Sequence, residues 1–171
     1  SAIIPTFNRV EFLVRAINSI LAQTRKVKEI IVVDNGSNDG TFEAVRDIFP
    51  SVKYIFEKDR GVSKARNAGI RNAQHEWIAF LDSDDQWLKT KIEKFISIQS
   101  SQENSFRIWH SNEIWIKNGQ HLNQKRYHQK RGGYIFNDCL KRCCISPSAS
   151  IVHRSIFEKY GYFDKELPVC E

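Results

Sequence analysis

Ile30-Ile31-Val32-Val33-Asp34-Asn35-Gly36-Ser37-Asn38-Asp39-Gly40-Thr41 passes from four apolar β-branched residues straight into a loop of carboxylates, amides and glycines, and then into helix-forming residues. A short, uninterrupted apolar run of this kind reads as a strand buried on both faces, the signature of a parallel sheet. Working outward, the same pattern recurs at Ala2-Ile3-Ile4, from Val52 to Phe56 and from Trp77 to Leu81, with helix-like segments between the runs. The alternation predicts βαβ units: an α/β fold with a mostly parallel central sheet flanked by helices.

The intervening helices have their own signals. Phe12, Leu13, Ala16, Ile17, Ile20 and Leu21 repeat with a helical period, and Asn8 followed by Glu11 matches a capping box. A second helix is expected from about Thr41 to Phe49, with Phe42, Val45 and Phe49 on one side and Pro50 as its stop. A third, from about Val62 to Asn72, carries Ala65, Ala68 and Gly69, small enough to pack closely on a sheet. Beyond Gln99 the pattern changes. Phe106, Ile108, Ile114 and Ile116 suggest strands, Asn118-Gly119 a tight hairpin and Gly132-Gly133 a turn. An antiparallel or mixed C-terminal extension of the sheet is expected, with a short helix around Phe136 to Arg142, a strand near Ala149 to Val152 and a helix from Ser155 to Tyr160.

At 171 residues the chain fits one domain, and 41% hydrophobic against 27% charged residues excludes the disordered class. The first residues read as a strand in progress and the last stop without a turn signal, so a piece of a longer chain is expected. No apolar run approaches the roughly 20 residues of a spanning helix. Cys139, Cys143, Cys144 and Cys170 are too few and too clustered for a disulfide framework, which favours a reducing, cytoplasmic location. Their spacing, with His153, does not match a zinc site, and buried thiols are expected. The net charge of +6 suits an anionic partner: nucleic acid, a phosphorylated substrate or an acidic membrane surface.

Ligands of open α/β sheets bind beyond the carboxyl ends of the strands. There, Ile78-Ala79-Phe80-Leu81 ends in Asp82-Ser83-Asp84-Asp85, three carboxylates within four residues. Such a density of like charge asks for a cation, and hard oxygen donors suit Mg²⁺ or Mn²⁺, completed by substrate phosphates. Strand alternation places Asp82 and Asp84 on one side unless a turn begins at Ser83; an acidic loop capping the next helix is the plain alternative. Asp34 ends a neighbouring strand and could accept hydrogen bonds from a base or ribose, or simply shape its turn. Arg9, Arg60, Lys64 and Arg66 add positive charge near the same edge, each otherwise an ordinary surface residue.

Four ordered stretches then carry a resemblance: Ile3-Ile4-Pro5-Thr6-Phe7-Asn8-Arg9; Ile31 to Thr41; Gly61-Val62-Ser63-Lys64-Ala65-Arg66-Asn67-Ala68-Gly69-Ile70; and Phe80 to Asp85. Together they resemble the family 2 glycosyltransferases, strongly over residues 2 to 100 and more loosely from Ile145-Ser146-Pro147-Ser148 through Gly161-Tyr162-Phe163-Asp164, which is similar to the acceptor-side segment of bacterial members. The resemblance implies a GT-A, Rossmann-like fold in a single domain, 1–171, with a donor-binding half at 1–100 and an incomplete acceptor-side half at 101–171. It implies a nucleoside-diphosphate-sugar donor, often carrying uridine, and inverting, metal-assisted transfer to a hydroxyl of a glycan or lipid-linked acceptor in cell-envelope polysaccharide synthesis.

Residue by residue, Pro5, Thr6 and Phe7 would line the nucleoside pocket, and Asp34 would contact base or ribose. Arg9, Arg60 and Lys64 would face the base or phosphates, and Ser83 sits between the D-x-D carboxylates. Asp84 would ligate the metal and Asp82 would address the ribose or the metal shell. The family's general base belongs to a late acidic pair. Here Glu171 stands at its first position, with the expected Asp beyond the chain, so the resemblance implies donor binding with little transfer.

The segment Lys125-Arg126-Tyr127-His128-Gln129-Lys130-Arg131 reads as a solvated loop, with a lipid-phosphate or membrane-surface contact as its functional alternative and nucleic acid disfavoured. Trp87, Trp109 and Trp115 are candidates for sugar stacking, though core packing is the commoner use of such residues. Rival classes are a HAD-like phosphotransferase, which shares the D-x-D loop but not the residues after it, and a nucleotidyltransferase, which needs a glycine-rich phosphate loop absent after the first strand. A non-catalytic nucleotide-sugar-binding module is a third.

Overall fold

A computed structural model describes residues 1–101, 106–123, 128, 130–141 and 143–167. Strands β1 (Ala2–Thr6), β2 (Ile30–Asp34), β3 (Lys53–Phe56) and β4 (Trp77–Phe80) alternate with helices α1 (Val10–Leu21), α2 (Thr41–Ile48) and α3 (Val62–Asn72). Helix α4 (Lys91–Ser101) follows, then β5 (Ile108–His110), β6 (Trp115–Lys117), β7 (Gln120–Leu122), α5 (Phe136–Cys139), β8 (Ser150–His153) and α6 (Arg154–Tyr160).

The main sheet runs β3-β2-β1-β4-β8-β5. Its first four strands are parallel, with Thr6 level with Asp34 and Asp34 level with Phe56. β8 enters antiparallel between β4 and β5, which supplies the expected mixed extension. All five residues of β1 and of β2 are buried, as strands covered on both faces require. Alternation splits them between two cores. Ala2, Ile4, Ile30 and Val32 meet Leu13, Ala16, Ile17 and Ile20 of α1 on one face. Ile3, Ile31 and Val33 meet Ala65, Ala68 and Ile70 of α3, with Phe157 of α6, on the other. Gly69 brings α3 within touching distance of β1: a Cβ there would lie 2.5 Å from Ile3 Cγ2.

Several local expectations are corrected. The capping box does not form: the residue before α1 is Arg9, with no side-chain cap, and Asn8 adopts a left-handed φ of 50°. The cap comes from elsewhere, because β1 and β2 are adjacent and their following loops therefore meet. Val10 N–H donates to Asp39 Oδ2 at 2.8 Å, Asn8 N–H to Ser37 Oγ at 2.9 Å, and Asn38 N–H to Asn8 Oδ1 at 2.8 Å. In α2, Val45 and Phe49 are buried as expected but Phe42 is exposed, resting edge-on against Tyr54. Asn118 and Gly119, at φ 51° and 75°, make the expected tight turn, yet β6 and β7 form a separate two-stranded ribbon rather than part of the main sheet. Phe106 and Ile114 lie outside the strands.

The thiols of Cys139 and Cys143 are exposed and that of Cys144 half-buried, not buried as expected, because short α5 lies at the surface with none of its residues in the core; Cys170 lies outside the described residues. His153 precedes α6 and accepts from Ser155 N–H, a capping role. Among the described residues no helix is long and apolar enough to cross a membrane.

Candidate functional site

At the carboxyl edge of the sheet a cleft of about 390 Å³ is lined by Pro5, Thr6, Phe7, Arg9, Asn35, Val62, Ala65, Arg66, Asp82, Ser83 and Asp84. Its size lies in the range of small-molecule sites, roughly 300–1,000 Å³. Three loops converge because three parallel strands end side by side, and α3 closes one wall.

Asp82 and Asp84 do not continue the strand. β4 ends at Phe80, and a turn closes with Asp85 N–H donating to Asp82 C=O at 3.0 Å. The two carboxylates face different cations. Arg66 Nη2 donates to Asp82 Oδ1 at 2.8 Å, a pair only 7% and 30% exposed. Arg9 Nη1 donates to Asp84 Oδ2 at 2.6 Å, with both partners about half exposed, at 51% and 47%. Ser148 braces the turn from β8's side: its hydroxyl accepts from Asp82 N–H at 2.9 Å, and its carbonyl accepts from Trp87 Nε1 at 3.0 Å. Asp85 hydrogen-bonds Ser148, but partial burial, with the nearby carboxylates of Asp82, Asp84 and Glu113, pushes its pKa upward. Trp87 is 6% exposed and packs in the core, so it is no platform for a sugar ring.

Asp34 is 2% exposed and does not line the cleft; its Oδ1 accepts from Ser37 N–H at 2.8 Å and its Oδ2 from Tyr54 OH at 2.7 Å. The adjacent Asn35, which the sequence reading passed over, forms the wall instead. Its Nδ2 donates to Glu57 C=O at 3.0 Å and Asp59 C=O at 2.7 Å, while its Oδ1 accepts from Gly61 N–H at 2.7 Å. No local signal in the sequence separates it from the strand-end Asp before it. Arg60 stacks over the Phe7 ring at 4.3 Å, at the rim, and Lys64 lies beside the cleft without lining it. Thr6, 3% exposed, is among the lining residues, and its buried hydroxyl has no hydrogen-bond partner. Glu171, Lys125, Arg126, Tyr127 and Gln129 lie outside the described residues; of that basic segment, Lys130 pairs with Glu113 at 3.2 Å and His128 packs on Trp115.

The donor set suits a hard divalent ion. Among the described residues no three His, Cys, Asp or Glu side chains gather into an all-protein cage. One or two exposed carboxylates beside a cleft match the way Mg²⁺ and its relatives bind, with phosphate oxygens and water filling the rest.

Strand order, cleft position and the acidic turn together define a GT-A fold, and comparison with solved structures agrees. The sequence profile of glycosyl transferase family 2 matches residues 1–161, and the chain belongs to that family. A glycosyltransferase of Rickettsia conorii is 34% identical over 161 residues, 93% of this chain and 26% of its own length. The UDP-Glc:alpha-D-GlcNAc-diphosphoundecaprenol beta-1,3-glucosyltransferase WfgD of Escherichia coli is 30% identical over 95% of this chain and 63% of its own. Staphylococcus aureus TarS 1-349 in complex with UDP-GlcNAc superposes with a TM-score of 0.80 at 22% identity, over 99% of this chain and 50% of that one. The mannosyltransferase PcManGT of Pyrobaculum calidifontis, in complex with GDP-Man and Mn²⁺, gives 0.70 at 20% identity, over 97% of this chain and 47% of that one. The chain thus spans about a quarter of the Rickettsia relative and about half of the solved structures.

Proposed function

We propose that the chain is the donor-binding part of an inverting glycosyltransferase that takes a nucleoside-diphosphate sugar, with uridine as the preferred base, and passes the sugar to a hydroxyl of a glycan or lipid-linked acceptor in envelope polysaccharide synthesis. The observation that carries this reading is the cleft itself, where a nucleoside-sized space at the strand ends meets two carboxylates and two arginines. WfgD's name, with a UDP-glucose donor and a diphosphoundecaprenol-linked acceptor, supports donor and acceptor classes. TarS in complex with UDP-GlcNAc and PcManGT in complex with GDP-Man and Mn²⁺ share this fold, which supports a nucleotide-sugar donor and the use of a divalent ion.

In this reading Pro5, Thr6, Phe7 and the Asn35 wall hold the nucleoside, and Asp34, bonded to Ser37 and Tyr54, fixes the loop beneath it. Asp84, with Asp82 behind it, would hold Mg²⁺ or Mn²⁺, and such an ion would supply positive charge to offset the charge of a diphosphate leaving group. Arg9, and at the rim Arg60 and Lys64, give the phosphates further charge-assisted donors. Arg66, paired with Asp82 at 2.8 Å, holds that carboxylate in place, and Ser83 holds the spacing between the two carboxylates. Residues 1–100 form the donor half and 101–171 the acceptor side, where a carboxylate at or just beyond Glu171 takes the acceptor proton. The enzyme works in the cytoplasm, peripheral to the inner membrane face, and binds no nucleic acid.

Calorimetric titration of UDP with and without Mn²⁺, on the chain and on Asp84→Ala, tests the reading. UDP binding that Mn²⁺ strengthens by about tenfold or more in the parent and not in the variant is expected. Failure of every nucleoside diphosphate to bind the parent chain would refute it.

A further inference from the structure

The two aspartates of the acidic turn are guarded unequally. Arg66 is 7% exposed, lies near the Phe163 ring at 5.6 Å, and is fixed in the α3 wall. Apart from its pair with Asp84, Arg9 is held among the described residues through the backbone, where its carbonyl accepts Leu13 N–H at 2.9 Å and the next N–H donates to Asp39. Its side chain reaches across the mouth of the cleft to Asp84 in a pair about half exposed on both sides. An exposed pair of that kind is weak, whereas removing Arg66 would strand a carboxylate that is largely shielded from water.

We propose that Arg9 is an exchangeable counter-ion: it neutralises Asp84 when no donor is present, yields that carboxylate to the divalent ion, and turns its guanidinium onto the diphosphate that arrives with the ion. The inference rests on the donor and metal reading above and adds a direction to it. Metal and diphosphate each release what the other needs. The ion frees Arg9 for the phosphates, and the phosphates draw Arg9 from Asp84, so the two ligands bind cooperatively beyond their direct contact. By linkage the enhancement is reciprocal. Arg66 takes no part in this exchange, since its buried guanidinium cannot leave Asp82 without exposing both.

The test separates metal binding from turnover. Mn²⁺ is titrated into the chain without nucleotide, with free Mn²⁺ read by electron paramagnetic resonance, for the parent, Arg9→Gln, Arg9→Lys and Asp84→Asn; the series is repeated with UDP, and circular dichroism checks folding. Arg9→Gln should bind Mn²⁺ alone about two- to fivefold more tightly than the parent, because a competing cation has gone. It should bind UDP alone about tenfold more weakly, and the factor by which UDP tightens Mn²⁺ binding should shrink. Arg9→Lys, which keeps the charge without the fork, should fall between. If Arg9→Gln binds Mn²⁺ alone no better than the parent while Asp84→Asn loses the ion, the counter-ion proposal is overturned and the donor reading stands. If Asp84→Asn binds Mn²⁺ as the parent does, the metal reading fails and the proposal fails with it.

Discussion

Replacing Gly69 by alanine would drive a methyl group into the central strand. The added Cβ would meet Ile3 Cγ2 at 2.5 Å, Cδ1 at 3.1 Å and Cγ1 at 3.3 Å, and Ile3 is fully buried. Carbon atoms prefer separations of about 3.5–4.0 Å, so helix and strand must part by roughly 1 Å at this point. Overpacking of this order costs about 1–3 kcal/mol, against a gain of up to about 1 kcal/mol from putting alanine in a helix. A contact as short as 2.5 Å puts the cost toward the upper end of that range, so a net loss of about 1–2 kcal/mol is expected in urea denaturation, with the midpoint falling and the slope unchanged. Because α3 also carries Val62, Ala65 and Arg66 of the cleft wall, UDP affinity should fall with stability. The background decides the cause. Ile3→Val keeps Cγ2 and should give no rescue, whereas Ile3→Ala removes all three crowded atoms, so Gly69→Ala should cost nothing further there. A neutral or stabilising Gly69→Ala, or the same loss in the Ile3→Ala background, would refute the close-approach argument.

Tyr54→Phe leaves one oxygen of buried Asp34 without its donor, which should cost about 1–3 kcal/mol in the same assay; since burial and then Asp34 itself raise the Tyr54 pKa strongly, the loss should not vary across neutral pH. Lys91 donates to Ser111 Oγ at 3.2 Å and to Ala149 C=O at 3.1 Å, and burial lowers its pKa from 10.5 to about 8. Between those values the unfolded chain binds more protons than the folded one, so stability should rise with pH across the window. The rise should be on the order of 2 kcal/mol after screening at this partly exposed group. Denaturation at pH 7.5 and 10.5 should show it in the parent relative to Lys91→Met; a flat difference would contradict the desolvation argument.

The first half of the fold was legible because β1, β2 and β4 are buried on both faces, so their apolar runs are unbroken, and α1 repeats cleanly. The cleft residues Arg9, Asp82, Ser83 and Asp84 lie where the rule that ligands sit past strand ends places them, and Pro5, Thr6 and Phe7 were singled out by the family resemblance. What escaped depends on contacts between distant segments. Nothing near Asn8 announces that Asp39 will cap α1, and no local pattern distinguishes Asp34, held by Tyr54, from Asn35, which forms the wall. Trp87 reads alike as a stacking platform or a core ring until Ser148 is known to accept from its indole. In the second half, strands of three residues are too short for periodicity to declare itself.

The latch between the loops after β1 and β2 has a consequence for anyone recombining members of the family. Asn8 and Val10 on one loop are hydrogen-bonded to Ser37, Asn38 and Asp39 on the other, so each loop takes part of its support from its companion. A chimaera that imports residues 6–10 alone should misplace Phe7 and Arg9, whereas one that imports 6–10 together with 34–41 carries a complete rim. The unit of exchange in this half of the protein is therefore a pair of loops far apart in sequence, and donor preference should be inherited through the pair.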